Sequence, residues 1–174
     1  AFNMCPKCLA EYLDPSNRRF HAQPVACPDC GPQITLEQSG HIIAEKEQAL
    51  QLARSALRDG KIIALKGLGG YQIVCDANNA ESVAQIRGRK KRSDKPFALM
   101  TSQISQVEKY AIINDQERNL LLSSQRPIVL LQKKSGTNLP ESIAPGQATL
   151  GFMLPNTPLH HLLLEPETDF PEVF

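Results

Sequence analysis

Apolar and polar positions alternate with two different periods along most of this chain. Over residues 45 to 58 the apolar residues recur at helical spacing, and Asp59 and Gly60 end the run. After it, short apolar runs typical of buried strands alternate with further helical segments. The predicted strands cover residues 61–65, 71–75, 96–100, 128–131 and 150–154. The predicted helices begin near residues 80, 104, 115 and 158. This interleaving predicts an α/β fold with a twisted, open, mostly mixed or parallel sheet and helices.

Residues 1 to 40 differ from the rest, since they show little periodic pattern and carry several prolines. Such a segment buries little core, so a bound metal would supply most of its folding energy. We therefore predict a small metal module over residues 1–40 and an α/β domain over residues 41–174. Residues 133–148 are predicted to form a long loop, and long loops are often functional.

Four cysteines carry the strongest chemical signal. Cys5 and Cys8 form one Cys-x-x-Cys pair, Cys27 and Cys30 form a second, and 18 residues separate the pairs. This spacing is typical of a four-thiolate zinc site, in which two tight turns supply a tetrahedron. A closed shell of this kind leaves no position for water, so the predicted zinc is structural. Gly31 follows the second pair, and glycine can take up a positive φ as the chain leaves the site.

Other interpretations of these cysteines are two disulfides or a redox-active pair. Disulfides suit a secreted chain, but the sequence opens with no secretory signal, and a redox motif is normally single. His21 lies between the pairs and could replace one sulfur, although four thiolates already complete the shell. The fifth cysteine, Cys75, sits in an apolar run and is predicted to be a buried, inert thiol.

Composition and charge restrict the classes of partner and the cellular location that the sequence predicts. The 174 residues carry a formal net charge of +1, so no global field favours nucleic acid or a membrane surface. No apolar stretch approaches the roughly 18 residues that span a bilayer. Reduced cysteines with metal-type spacing favour the cytoplasm.

A dense cationic run lies between residues 87 and 95, where six of nine side chains are basic. Three interpretations remain open: a pocket for a phosphorylated small ligand, a nucleic-acid surface, or a solvated patch. The glycine-rich turn of residues 66–70 follows a strand and could bring backbone N–H groups to an anion, although a plain hairpin explains it equally well. His160 and His161 fall in the last apolar helix and are interpreted as structural.

Several stretches together resemble one family. They are CPKCLAEYLDPSNRRFHAQPVACPDCGP, KGLGGYQIVCDANN, IRGRKKRSDKPFALM, QRPIVLL and IAPGQATLGFMLPNTPLHHLLL. In this order they resemble the HypF family of hydrogenase-maturation carbamoyltransferases, with a zinc-finger segment directly before a domain of the YrdC/Sua5 type. The resemblance runs over essentially the whole chain.

The resemblance implies a reaction and its partners. Members use carbamoyl phosphate and ATP, with Mg²⁺, to form a carbamoyl-adenylate in the YrdC-like domain. They pass the carbamoyl group to a cysteine at the C-terminus of HypE, where it becomes a cyanide ligand of nickel-iron hydrogenase. By motif, the substrate-binding residues would be Lys66, Gly69, Gly70, Tyr71, Arg89, Lys90, Arg92, Lys95 and Pro96. The resemblance assigns no residue to proton transfer.

One departure from the family matters for activity. YrdC-type domains carry a later Ser/Thr-Ser-x-Asn segment, and this sequence reaches Phe174 without it. We therefore expect a YrdC-like domain truncated at its C-terminus, with weak or no catalysis in isolation. The alternative function is a YrdC-like module that binds double-stranded RNA or regulates a partner through the same basic run.

Overall fold

The computed structural model describes residues 3–91 and 94–174, and the chain divides into two compact units, one up to Leu50 and the other from Gln51 onward. The described helices are α1 (Pro6–Leu13), α2 (Lys46–Arg58), α3 (Ala80–Arg89), α4 (Ile104–Tyr110), α5 (Asp115–Leu122) and α6 (Pro158–Leu163), with a 3₁₀ helix at Glu141–Ile143. The described strands are β1 (Thr35–Gln38), β2 (His41–Glu45), β3 (Ile63–Lys66), β4 (Tyr71–Val74), β5 (Ala98–Met100), β6 (Ala111–Ile112), β7 (Val129–Lys133) and β8 (Thr149–Met153).

The first unit contains more regular structure than the sequence predicts. The first cysteine pair is not a tight turn, because Cys5 is the N-cap of α1 and Pro6 occupies its first position, where a missing N–H costs nothing. Strands β1 and β2 form an antiparallel hairpin. Ser39 and Gly40 join them with φ values of 53° and 81°, as a two-residue turn between right-twisted strands requires.

The second unit is built on a four-stranded mixed sheet of order β5-β8-β7-β6. Strand β5 runs parallel to β8, while β7 is antiparallel to both β8 and β6. Strands β3 and β4 form a separate antiparallel hairpin in which Lys66 pairs with Tyr71. The predicted α/β class with a mixed sheet is confirmed. The predicted division of the chain after residue 40 stays a prediction.

Most predicted elements of this unit occur within two residues of their expected positions. Helix α4 spans the predicted residues, and α2 begins one residue late. The predicted long loop over residues 133–148 is interrupted by the 3₁₀ helix. Strand β6 was not predicted, because two residues are too few for a periodic signal.

Side-chain caps explain where several helices begin. The Asn79 side chain accepts a hydrogen bond from Ser82 N at 3.0 Å, so α3 begins near residue 80, as predicted. Asn114 and Glu117 form a reciprocal capping box that starts α5. Thr157 caps α6, and Pro158 follows at the first position.

One face of the mixed sheet carries the core of the second unit. Its alternate residues Leu99, Val129, Leu131, Leu150 and Phe152 are buried. The other face of the sheet is less buried, and Leu130, which lies between Val129 and Leu131, is 68% exposed. The period of two along each strand therefore separates a core face from a face that is partly open. No helix among the described residues is long and apolar enough to cross a membrane.

Candidate functional site

The four predicted metal ligands come together in the first unit. Cys5 and Cys8 are supplied by the start of α1, and Cys27 and Cys30 by a turn closed by Gly31 N donating to Cys27 O at 2.8 Å. The positive φ that glycine permits is not used at Gly31. Its role is steric, because a Cβ at Gly31 would lie 2.8 Å from Cys27 O. A side chain there would open the turn that aims the second pair of sulfurs.

The sulfur positions match a tetrahedral metal. Sγ–Sγ distances are 3.7 Å for Cys5–Cys27, 3.8 Å for Cys27–Cys30 and 3.6 Å for Cys30–Cys8. All four sulfurs lie within 4.8 Å of one another. A Zn–S bond of about 2.3 Å in a regular tetrahedron places sulfurs about 3.8 Å apart, so the donor set fits zinc. All four thiols are unbridged, which excludes the disulfide alternative in this structure.

The pKa values of two of the four thiols, Cys8 and Cys30, are shifted in opposite directions. Burial raises the pKa of the Cys8 thiol to about 12, with hydrogen bonds to the other thiols adding to the effect. Backbone hydrogen bonds at Cys5 and Cys27 lower the pKa of Cys30 to about 6. The cluster alone therefore accommodates a thiolate at Cys30 but not at Cys8. A divalent cation would stabilise both charges.

His21 is not among the grouped ligands of the described residues. Its ring stacks on Tyr12 with centroids 4.8 Å apart and lies 4.3 Å from the Phe20 ring. These contacts hold the segment between the cysteine pairs against α1.

A cavity of about 350 Å³ in the second unit is the candidate ligand site. The β3–β4 hairpin, the end of α3, strand β5 and helix α6 each contribute to its wall. The lining is mostly apolar, and its polar members are Tyr71, Gln72, Lys90 and His160. An apolar pocket with a few polar groups is the usual form of a small-molecule site.

The predicted substrate residues do not all reach this cavity. Tyr71 and Lys90 line it, whereas the other described members of the predicted set are not in its wall. The Lys66 ammonium lies 4.9 Å from the Tyr71 ring centroid and so sits beside the cavity wall. Arg92 lies outside the described residues.

The remaining predicted residues lie on α3, in the segment before β5, or in the β3–β4 turn. Arg89 donates to Gln85 Oε1 at 3.3 Å on the exposed side of the helix. Lys95 and Pro96 are exposed, and so is Gly69 in the hairpin turn. Gly70 adopts a φ of +145° in that turn, with no heavy atom within 4 Å of the position its Cβ would take. That conformation suits glycine, and the surrounding space leaves its backbone accessible.

One cation of the basic run has a structural role instead. Arg87 Nε donates to Ser142 O at 2.8 Å, and its guanidinium lies 4.5 Å from the Phe97 ring centroid. Arg87 therefore fixes the 3₁₀ helix to α3. Charge density in the sequence could not distinguish this residue from its neighbours.

Gln72 and His160 both line the cavity, and the sequence did not predict that their side chains meet. They lie 88 positions apart, yet His160 Nε2 is 2.9 Å from Gln72 Oε1. No local motif relates residues at that separation. Cys75, predicted to be inert, is buried in the cavity wall, and burial raises its pKa to about 11.

The fold and the two candidate sites define an α/β domain with an internal cavity, preceded by a finger segment that groups four cysteines. Family comparisons agree: the HypF finger model matches residues 4–37, and the Sua5/YciO/YrdC model, described as "Telomere recombination", matches residues 55–169. The chain belongs to the Sua5/YciO/YrdC family and carries a HypF finger.

Individual relatives confirm the predicted resemblance to HypF. Carbamoyltransferase HypF of Rhodobacter capsulatus is 49% identical over 164 residues, which cover 94% of this chain and 22% of the relative. The crystal structure of T. kodakarensis HypF matches at a TM-score of 0.85 and 42% identity, covering 99% of this chain and 22% of that one. Full-length HypF in a phosphate- and nucleotide-bound form matches at a TM-score of 0.78 and 44% identity, with the same coverage.

Proposed function

We propose that this chain is the part of a HypF-type carbamoyltransferase that holds the site of carbamoyl-adenylate formation, in the cavity of its second unit. The observation that carries the proposal is the cavity itself, since Tyr71 and Lys90, two of the predicted substrate residues, line its mostly apolar wall. The similarity to HypF chains supports it, although the chain spans 22% of the length of the R. capsulatus relative.

The proposed chemistry follows from the cavity's two kinds of surface. The apolar wall suits the adenine base, and cations at the rim suit the phosphates. Water first hydrolyses carbamoyl phosphate, which breaks its bond to the phosphate group and gives carbamate and inorganic phosphate. An oxygen of the carbamate then attacks the α-phosphorus of ATP. The bond from that phosphorus to the β-phosphate bridging oxygen breaks, and pyrophosphate leaves with the bond electrons. Lys90 stabilises the charge that develops on the leaving group.

Mg²⁺ would neutralise part of the triphosphate charge. None of the described residues in the cavity wall is a carboxylate, so phosphate oxygens and water would hold this ion. The zinc of the first unit, held by the four cysteines, has a structural role in this proposal. The carbamoyl group would then pass to the C-terminal cysteine of HypE.

Calorimetric titration of the zinc-loaded chain with ATP and Mg²⁺, with and without carbamoyl phosphate, tests the site. We expect saturable binding near one site per chain. Lys90→Met should weaken it about tenfold, as the loss of one charge-assisted hydrogen bond predicts. Lys91→Met is the matched control, because Lys91 is the next cation but is not in the cavity wall. Equal losses in both variants would contradict the proposal.

Salt dependence separates this proposal from binding of double-stranded RNA. A polyanion releases several counterions, so its affinity falls steeply with salt, whereas a nucleotide in a pocket responds far less. RNA binding with a steep salt slope, together with no ATP binding at about 1 mM, would replace the nucleotide site by a nucleic-acid surface. Transfer of labelled carbamoyl groups to HypE, lost in a HypE variant without its C-terminal cysteine, tests the proposed partner.

A further inference from the structure

Two polar side chains from separate elements meet in the wall of the cavity. Gln72 belongs to β4, and His160 belongs to α6; both line the cavity, and a 2.9 Å contact joins His160 Nε2 to Gln72 Oε1. The histidine is 2% exposed. This contact directly connects the β3–β4 hairpin to α6.

The contact defines the protonation of the histidine. An amide oxygen only accepts hydrogen bonds, so Nε2 of His160 carries the proton and donates it. Nδ1 is buried without a hydrogen-bond partner among the described residues. Burial lowers the pKa of His160, and nearby His161 lowers it further. The ring is therefore a neutral Nε2–H tautomer whose single donor is used on Gln72.

The Gln72 amide contacts the glycine-rich turn on its other side. A Cβ placed at Gly67 would lie 3.3 Å from Gln72 Cδ, so the amide packs directly beside Gly67. Gly67 N in turn donates to Gly70 O at 2.7 Å and closes the turn. A continuous series of contacts thus runs from α6 through His160 and Gln72 to the turn.

The backbone of His160 is itself well anchored. Its N–H donates to Thr157 Oγ1 at 3.1 Å, which caps α6. At the other end of the helix, Arg54 donates to the Leu163 carbonyl at 2.8 Å. The histidine therefore presents its Nε2–H from a fixed helix to a hairpin whose turn is rich in glycine.

We propose that His160 is a positioning residue that holds the glycine-rich turn, residues 66–70, beside the cavity through the Gln72 amide. The proposal rests on the proposed function, since it assigns the turn to nucleotide binding. Without the Nε2–H donor, the turn would sample more conformations, and part of the binding free energy would be spent on ordering it.

Three variants test the link. His160→Gln keeps an N–H donor near the Nε2 position, whereas His160→Leu keeps a similar volume without a donor. Gln72→Met removes the acceptor at an exposed position and so avoids disturbing the core. In the absence of ligand, amide hydrogen exchange at residues 67–71 should rise about fivefold in His160→Leu and Gln72→Met, as loss of one neutral hydrogen bond predicts. In His160→Gln it should stay within about twofold of the parent.

The ligand readout is the affinity for ATP with Mg²⁺. We expect about fivefold weaker binding in His160→Leu and Gln72→Met and near-parent binding in His160→Gln. Imidazole ¹⁵N spectra should show an Nε2–H tautomer in the parent chain. Helical circular dichroism serves as the folding control.

The outcomes separate the two proposals. Unchanged turn exchange in Gln72→Met, or an Nδ1–H tautomer in the parent, would overturn the positioning role even if ATP binds. Equal loss of ATP affinity in His160→Gln and His160→Leu would also overturn it. If the parent binds no ATP, the proposed function fails, while ligand-free exchange and the tautomer still decide whether His160 orders the turn.

Discussion

Replacing Arg54 tests whether one buried guanidinium holds the segment after α6. Its side chain is 6% exposed and donates to the carbonyls of Leu163 at 2.8 Å, Glu165 at 2.9 Å and, more weakly, Leu162 at 3.3 Å. It also pairs with the half-exposed carboxylate of Glu167. The Leu162 and Leu163 carbonyls lie at the C-terminal end of α6, where helical partners are missing and a cation is favourable, and Glu165 follows the helix.

The expected magnitude follows from these contacts. A hydrogen bond to a charged group contributes about 1.5–3 kcal/mol, and the two short carbonyl bonds are the principal losses. The variant also no longer has the cost of burying the Arg54 charge, and this offsets part of the free energy lost with the hydrogen bonds. We therefore expect Arg54→Met to lower the free energy of unfolding by about 3 kcal/mol.

Arg58→Met is the matched control. Arg58 binds the same Glu167 carboxylate at 3.0 Å, but its side chain is 40% exposed. Both guanidinium groups also lie over the Phe170 ring, 4.1 Å from its centroid for Arg54 and 5.8 Å for Arg58. Exposed ion pairs contribute little, so its loss should cost less than about 1 kcal/mol and should fade at high salt. Urea titration of the zinc-loaded chain, followed by far-UV circular dichroism, measures both. If the two variants lowered the free energy of unfolding equally, burial of the Arg54 guanidinium would not explain its contribution.

Three further predictions concern the metal, the backbone and pH. Zinc analysis should find one zinc ion per chain. Removal of the zinc by a chelator, or the substitution Cys27→Ser, should abolish the bound zinc and reduce the helical circular dichroism, since metal binding and folding are coupled in such modules. Gly60→Ala should destabilise the chain by about 1–2 kcal/mol in urea titration, because φ is +72° and the new Cβ would lie 2.4 Å from Asn79 Nδ2. Gly88→Ala, in open space within α3, should instead stabilise it by about 0.5–1 kcal/mol. Because the folded-state pKa of Cys75 is raised to about 11, the unfolded chain loses this thiol proton first, and stability should fall as pH rises from about 9. Cys75→Ala should flatten that alkaline slope, and an unchanged slope would contradict the assignment.

Local chemistry makes some features predictable from neighbouring residues alone. The grouping of the four cysteines and the helix starts near residues 80 and 158 occur as predicted, and the two helix starts depend on residues close in sequence. Their geometry is fixed by a few backbone angles, so spacing and residue type suffice.

Features that depend on distant residues could not be predicted in this way. Arg87 and Lys90 belong to one cationic run, yet Arg87 fixes the 3₁₀ helix and Lys90 faces the cavity. Helix rotation and the position of the Ser142 carbonyl decide this difference. Neither is encoded in the charge pattern.

The sequence by itself determined the α/β class, the mixed sheet, the four-thiolate finger and the resemblance to HypF, because periodicity and motif spacing are properties of neighbouring residues. Only the tertiary structure decided which cations meet the cavity, why Gly31 must lack a side chain, and that Gln72 meets His160. The physical reason is that these contacts form when packing brings separate elements within hydrogen-bond distance, and packing depends on the whole core.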